Sequence, residues 1–466
     1  MIIKILPKYL VSYFLVLGLL ILCSRLSPFW YDDTGHSLVV YQLYQTGIWA
    51  FPTEYPYLSD YDCFSTMISI GPVLHYPASW FISITDWDFH YLRFYMAFLN
   101  AFLPFCIYTI SKDFFPPRSA LWAAVLSILN VQFWIYGSQY LGEIILIQWI
   151  LWGIYFQWLT LIKQKKIIYL CLSQIFFYLA ILTKEYIALP LGLYLFFAWI
   201  YWSIIHKKWL NALLLQGVLL PVAPLLFYYI HFQDFISFQK YWELKKDYQS
   251  EFLYLNTEPL LFLIKKPLIL IGYVTMIIKW LIKKRKEDFL LGILQTLFLV
   301  FFLISKGFDR FGFLLFPIAS LYVSEWLPFL WNFVFKTLFL KIIFVATSLV
   351  LFAQNLVNPF YWESQWKKNE YLKLLAYKIQ TSNIPSFFTY EIELIPYLKN
   401  LSIRTSSIPP VSSHRIKEKI KENYFLIGEY AQTEYSNTWN KEDYIKIGEY
   451  GNYTMWKLRE VRNLKN

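Results

Sequence analysis

Charge is scarce in this chain. Asp, Glu, Lys and Arg make up 16% of its 466 residues, against about 25% in a soluble globular protein. A disordered chain carries more charge and a soluble enzyme a more polar surface, so both classes are excluded. Cysteine is scarce as well. Of the four, Cys23, Cys106 and Cys171 lie in or beside apolar runs, and Cys63 stands alone in a loop. No pair has metal-ligand spacing and no disulfide framework is implied. Leu22 precedes Cys23 where a lipoprotein cleavage site needs a small residue, which removes that reading. The chain lacks a Walker loop, a Gly-rich nucleotide fingerprint and a Gly-x-Ser-x-Gly elbow. These absences argue against a nucleotide-sugar donor, an ATP-driven pump and Ser/His/Asp chemistry.

Apolar surface is abundant instead. Hydrophobic residues reach 58% and the mean hydropathy is +0.41, the composition of a polytopic membrane protein. Aromatic residues make up 21%; Tyr and Trp favour membrane interfaces, which accounts for most of them. The formal net charge of +11 does not indicate nucleic acid, because the tight basic clusters fall between apolar runs. They are Lys163-Gln164-Lys165-Lys166, His206-Lys207-Lys208 and Lys283-Lys284-Arg285-Lys286, the pattern of cytoplasmic loops.

A membrane-crossing helix needs about 20 mostly apolar residues. The first run covers 9–27; Lys4 and Lys8 before it keep the N-terminus inside, and with no small-residue cleavage site after it the run reads as an anchor. Later runs lie near 89–110, 119–136, 144–162, 167–182, 187–205, 209–230, 261–282, 288–304, 311–330 and 337–357. The expectation is a polytopic α-helical membrane protein with about eleven transmembrane helices. Alternation from an inside N-terminus puts all three basic clusters inside and the C-terminus outside.

Two segments stand apart from the spans. Residues 28–88 form a long first outer loop with seven acidic residues and no Lys or Arg. Within it, Leu38, Tyr41, Leu43 and Tyr44 repeat near helical spacing, predicting a surface helix from Asp33 to Gly47. After Gly71-Pro72, the stretch His75–Ile84 is too short to span. The second segment, 359–466, carries 28 of the 73 charged residues and follows the membrane domain of 1–358. Trp366–Gln380 predicts an amphipathic helix, and four runs alternate like strands: Phe387–Tyr390, Tyr424–Gly428, Tyr444–Tyr450 and Tyr453–Leu458. Gly451-Asn452 can turn the last two into a hairpin. A small α+β extracytoplasmic domain is expected, placed to cover the active site or select the acceptor.

Chemistry concentrates on the outer side. Asp32-Asp33 follows the first span directly, where a carboxylate could act as general base on an acceptor hydroxyl or amine. The competing reading is a solvated acidic pair at a helix N-terminus, a position that favours Asp in any helix. Arg93, Lys184, Lys306 and Arg310 fall near outer ends of spans and could hold an anion or snorkel to the interface. His36, His75 and His90 share that side without metal-ligand spacing, and hydrogen bonding is their simplest role.

The order of these features resembles the GT-C glycosyltransferases, in particular the protein O-mannosyltransferases, the lipid A aminoarabinose transferases and their bacterial relatives. Asp32-Asp33 with Gly47, Gly71-Pro72 with Tyr76-Pro77, Leu92-Arg93, Gly142-Glu143, Leu182-Thr183-Lys184 and Arg310-Phe311 with Pro317 carry the resemblance over most of 28–330. It implies Asp32, Asp33 and Glu143 as catalytic residues, with Asp32 the base. It implies Arg93, Lys184, Lys306, Arg310 and His75 around the donor phosphate. The implied donor is a polyprenyl-phosphate-linked sugar, hexosyl or pentosyl. The acceptor is an envelope lipid, glycan or protein on the outer face of a bacterial plasma membrane. No cofactor is required, since cations at the leaving phosphate suffice, although a divalent cation is compatible. Two departures stand out: Gly71 replaces the Lys of the aminoarabinose transferases' Lys-Pro, and Gly35 replaces an Arg after the acidic pair. Both weigh against that particular donor. The rival readings are a lipid-linked-glycan transporter or flippase, which should show half-repeats and ionisable residues at mid-membrane, and a glycan polymerase or ligase, which would use the late loop 231–260.

Overall fold

The computed structural model describes residues 2–49, 54–55, 71–85, 88–163, 166, 168–206, 226, 229, 258–304, 309–328, 342, 359–382, 384, 386–389, 391–398, 404–406, 424–428, 442 and 444–459. The chain divides into two compact units. One comprises Met1–Cys23, Ile70–Leu74 and Met96–Pro359; the other comprises Ser24–Ser69, His75–Tyr95 and Phe360–Asn466.

In chain order the helices before the C-terminal part are α1 (Ile2–Leu26), α2 (Tyr31–Thr46), α3 (Pro72–Ile84), α4 (Phe89–Asn100), α5 (Leu103–Phe114), α6 (Pro117–Leu129), α7 (Val131–Gly137), α8 (Glu143–Leu161), α9 (Ile168–Thr183), α10 (Ala188–His206), α11 (Glu258–Lys265), α12 (Pro267–Lys283), α13 (Lys286–Ile304), α14 (Asp309–Gly312) and α15 (Phe316–Val323). The first unit is a helix bundle in which α8 packs on α9, α5 on α6 and α12 on α15. Some of its buried polar side chains find partners across the helices. Gln148 donates to the Leu99 carbonyl at 3.0 Å, and Tyr194 donates to Gln157 at 2.5 Å. Pairing of this kind removes the cost of apolar burial.

Among the described residues three helices are long and apolar enough to cross a membrane: Phe89–Phe114, Glu143–Leu161 and Lys286–Ile304. Counting each of two bent pairs as one span gives five, and four shorter apolar helices also fall on expected runs. The expected count of about eleven is not reached, for two reasons. Polar caps and prolines break expected spans into pieces. Asn130 accepts the Gln132 N–H at 3.1 Å and starts α7 at 62° to α6, and Pro267 cannot continue α11, so α12 leaves at 87°. In addition, the runs 209–230 and 337–357 lie almost wholly outside the described residues.

The second unit joins the long loop after α1 and the start of α4 to the C-terminal part. Its elements are α2, most of α3, β1 (Glu54–Tyr55), α16 (Pro359–Thr381), β2 (Ser386–Thr389), α17 (Ile395–Leu398), β3 (Arg404–Ser406), β4 (Tyr424–Ile427), β5 (Tyr444–Tyr450) and β6 (Tyr453–Leu458). The strands form one mixed sheet in the order β1-β3-β2-β4-β6-β5. β2 runs parallel to β3 and β4, and β5 and β6 form the hairpin that Gly451-Asn452 predicts. β1, from the acidic loop, adds antiparallel to the edge at β3. Leu372, Leu375, Ala376 and Ile379 recur on one face of α16 and pack with Phe387, Leu426 and Met455 from the sheet.

Two buried carboxylates sit beyond the end of β2. Glu391 accepts the Gly428 N–H at 3.1 Å. Glu393 is pushed from its ordinary 4.5 up to about 8, first by burial and then by the Glu391 charge. Glu393 is therefore protonated at neutral pH when folded and ionised when unfolded. The stability it contributes is fully present below about pH 4.5 and is lost as pH rises through about 8. Glu393→Gln keeps the shape and removes the titration. Melting temperatures of the two full-length proteins should diverge in favour of the variant as pH is raised from about 5 to about 8. A constant difference across that range would contradict the assignment.

Candidate active site

The acidic pair opens α2. The Trp30 carbonyl accepts the Thr34 N–H at 2.9 Å, which places Asp32 and Asp33 in the first helical turn. Negative charge is favoured there by the unpaired N–H groups and the helix dipole. Gly47 ends the helix with φ of 75°, a left-handed conformation suited to glycine, and returns its N–H to the Leu43 carbonyl. The expected helix is thus present, but it is not a surface helix: Asp33, Thr34 and every residue from His36 to Leu43 are buried. The two carboxylates differ: Asp32 is half-buried, whereas Asp33 is fully buried.

Arg93 explains the burial of Asp33. Its Nε and Nη2 donate to Asp33 Oδ2 at 2.7 and 2.5 Å, its Nη1 to the carbonyls of Ser24 and Ser27 at 2.9 and 3.0 Å, and its Nη2 also to the Pro28 carbonyl at 2.7 Å. These bonds engage all five N–H donors of a guanidinium. The Phe29 ring lies 3.9 Å from the guanidinium carbon. In this arrangement every Arg93 N–H faces an acceptor of the protein itself. A buried arginine keeps its charge only where it is paired and hydrogen-bonded.

Two histidines lie in the same unit. His75 is fully buried, and its Nδ1 accepts the Trp49 indole N–H at 2.8 Å, so a neutral ring carries its proton on Nε2. The His36 ring stands 5.8 Å from it, centroid to centroid.

In the first unit, Glu143 is the first residue of α8 and is fully buried. Lys184 reaches it with Nζ at 3.1 Å from Oε1, and Arg310 Nε stands 3.8 Å from the same oxygen. The group of three thus carries two cations for one carboxylate. Lys184 is buried, while the Arg310 side chain keeps a fifth of its surface exposed. Gly71 belongs to the same unit. Its N–H donates to the Thr183 carbonyl at 2.7 Å, and a Cβ here would run into the Leu182 carbonyl. Only glycine fits this approach, which accounts for the missing Lys of the Lys-Pro pattern. Lys306 lies outside the described residues, as does most of the late loop 231–260. Among the described residues no group of three or more His, Cys, Asp or Glu could hold a metal ion.

Sequence reasoning missed the partners of the acidic segment. Tyr397 and Asn369 bind the peptide just ahead of α2, yet nothing local marks either one among 38 tyrosines and a charged C-terminal region.

No sequence profile of a known family matches the chain, and no curated protein sequence does. Solved structures do match. ArnT from Cupriavidus metallidurans bound to undecaprenyl phosphate has a TM-score of 0.65 at 11% identity, covering 96% of this chain and 97% of that one. The Archaeoglobus fulgidus oligosaccharyltransferase in its apo form has a TM-score of 0.59 at 11% identity, with coverage of 91% and 70%. The oligosaccharyltransferase AglB from Archaeoglobus fulgidus, in complex with an inhibitory peptide and a dolichol-phosphate, has a TM-score of 0.57 at 13% identity, with coverage of 90% and 70%. The chain shares the fold of these structures.

Proposed function

We propose that this chain is an integral-membrane glycosyltransferase. It moves a hexosyl or pentosyl unit from a polyprenyl-phosphate donor to an envelope lipid, glycan or protein on the outer face of the plasma membrane. The reading is carried by one observation, the match to an undecaprenyl-phosphate-bound transferase over nearly the whole of both chains; the acidic pair that opens the first loop helix agrees with it. In this reaction the acceptor oxygen or nitrogen attacks the anomeric carbon, Asp32 takes its proton, and the bond from that carbon to the phosphate oxygen breaks with inversion. The polyprenyl phosphate leaves with the electron pair, and a cation beside it lowers the barrier without a metal. The lack of room at Gly71 favours a sugar other than aminoarabinose. The test is mass spectrometry of cell-envelope glycans from cells with and without the protein. Identical glycan profiles would refute a transferase role.

Arg310 is proposed as the contact to the donor phosphate. Arg310→Lys keeps the charge and loses the two-pronged donor set, so undecaprenyl-phosphate affinity should fall about tenfold while the fold survives. Unchanged affinity would leave Arg310 a structural partner of Glu143. The proposed orientation has the N-terminus inside and the C-terminal part outside, because the three basic loops agree in parity. Reporter fusions after residues 166 and 360 should report opposite sides of the membrane; the same side for both would sink that topology.

A further inference from the structure

We propose that Tyr397, from the C-terminal part of the chain, is a positioning residue for the acidic pair: its hydroxyl holds the peptide that builds the Arg93 cradle and thereby fixes where Asp33 and the adjoining Asp32 stand. That the pair is catalytic rests on the transferase reading; the positioning itself does not.

The chain of contacts is continuous and lies within one unit. The Tyr397 hydroxyl accepts the Phe29 N–H at 3.2 Å and donates to Asn369 Oδ1 at 2.7 Å. Asn369 Nδ2 in turn donates to the Arg25 carbonyl at 3.2 Å. Both ends of the Arg25–Phe29 peptide are therefore tied to the C-terminal part. The carbonyls of Ser24, Ser27 and Pro28, within or beside this peptide, receive Arg93. The Tyr397 ring meets Phe29 edge-on, with centroids 5.8 Å apart, and Phe29 faces the Arg93 guanidinium on its own account. Phe29 and Asn369 are almost fully buried, so water cannot readily replace the lost partners. Burial raises the Tyr397 phenol above the usual tyrosine range, which keeps it a donor at any physiological pH.

An arginine that must satisfy one carboxylate oxygen and three carbonyls at once tolerates little movement of those carbonyls, because hydrogen bonds weaken steeply off-axis. Their spacing is set by the path of residues 24–29, which is tied at both ends from outside α2. Tyr397 and Asn369 hold it. The ring contact survives in Tyr397→Phe, so that variant isolates the hydroxyl.

The experiment uses the full-length protein in lipid nanodiscs and compares wild type, Tyr397→Phe and Asn369→Ala. Hydrogen exchange is read for peptides covering 27–36 and, as a control, 143–161; labelling of Asp33 by a water-soluble carbodiimide is read by mass spectrometry. Loss of these bonds should speed exchange over 27–36 by about tenfold and raise Asp33 labelling several-fold. Exchange over 143–161 and binding of undecaprenyl phosphate should stay at wild-type values, and the melting temperature should fall only by what the loss of a buried hydrogen bond implies. Where transfer is measured, kcat should fall with the donor KM unchanged. If exchange over 27–36 and Asp33 labelling match wild type in both variants, the proposal is overturned. It is overturned equally if exchange rises everywhere and melting drops beyond that amount, which is the signature of general packing. Should Tyr397→Phe not fold, Asn369→Ala reads the same tether from its other end. If the glycan profile refutes a transferase, the local exchange result still stands or falls by itself.

Discussion

Asp32→Asn should abolish transfer by on the order of a hundredfold or more in a protein that still folds, the loss typical when a general base is removed. The two carboxylates of the pair are chemically unequal. Asp33 is enclosed and its Oδ2 already receives both prongs of Arg93, so an acceptor proton would have to compete with a guanidinium. Asp32, one residue earlier on the same turn, keeps part of its surface. Asn preserves its size while removing the negative charge and with it the ability to take a proton; the first-turn charge itself contributes only about 0.3–1 kcal/mol to the helix. Melting behaviour should therefore stay close to wild type while the glycan product disappears. An active Asp32→Asn protein would return the pair to the role of helix-start charges, for which the dipole alone is sufficient reason.

Arg93→Met should cost the fold about 3–5 kcal/mol, the range for removing one partner of a buried ion pair. The variant strands the Asp33 carboxylate and three carbonyls that Arg93 satisfies. Asp33→Asn in the same chain removes the stranded charge, so the double variant should be more stable than the sum of the single effects predicts. Arg93→Lys should not rescue, because an ammonium has three donors and cannot reproduce the planar fork. Thermal unfolding in detergent measures all four proteins. A stable Arg93→Met single variant, or strict additivity in the double, would show that the ion pair is not what holds the loop.

The C-terminal part is more than a cover. Its deletion would remove Asn369 and Tyr397, the groups that tie down residues 25–29. It would also remove β3, which pairs with β1 of the acidic loop. Truncation should therefore loosen residues 25–29 and the acidic segment that follows them.

Several features were legible from residues alone because their causes are local or periodic. The apolar runs mark α8, α9, α10 and α13 within a residue or two, since a helix in lipid must satisfy its backbone internally and present apolar side chains. The α2 helix and its Gly47 stop, the hairpin at Gly451-Asn452 and the amphipathic α16 follow from spacing and turn chemistry. The acidic pair, Glu143 and Lys184 were visible as charges at the outer ends of apolar runs, where a charge needs a reason. What tertiary structure alone decided is which charge answers which. Arg93 and Arg310 look equivalent in sequence, each near the end of a span. In the fold Arg93 is enclosed by Asp33 and three carbonyls, whereas Arg310 stays partly exposed in a group with Glu143 and Lys184. The break of helical runs at Asn130 and Pro267, the union of the first loop with the C-terminal sheet, and the reach of Tyr397 over 368 positions to Phe29 are likewise invisible to any window of sequence. Hydropathy reports where a side chain can be buried, but a hydrogen bond or ion pair between distant residues depends on which surfaces packing brings together, and only the folded chain specifies that.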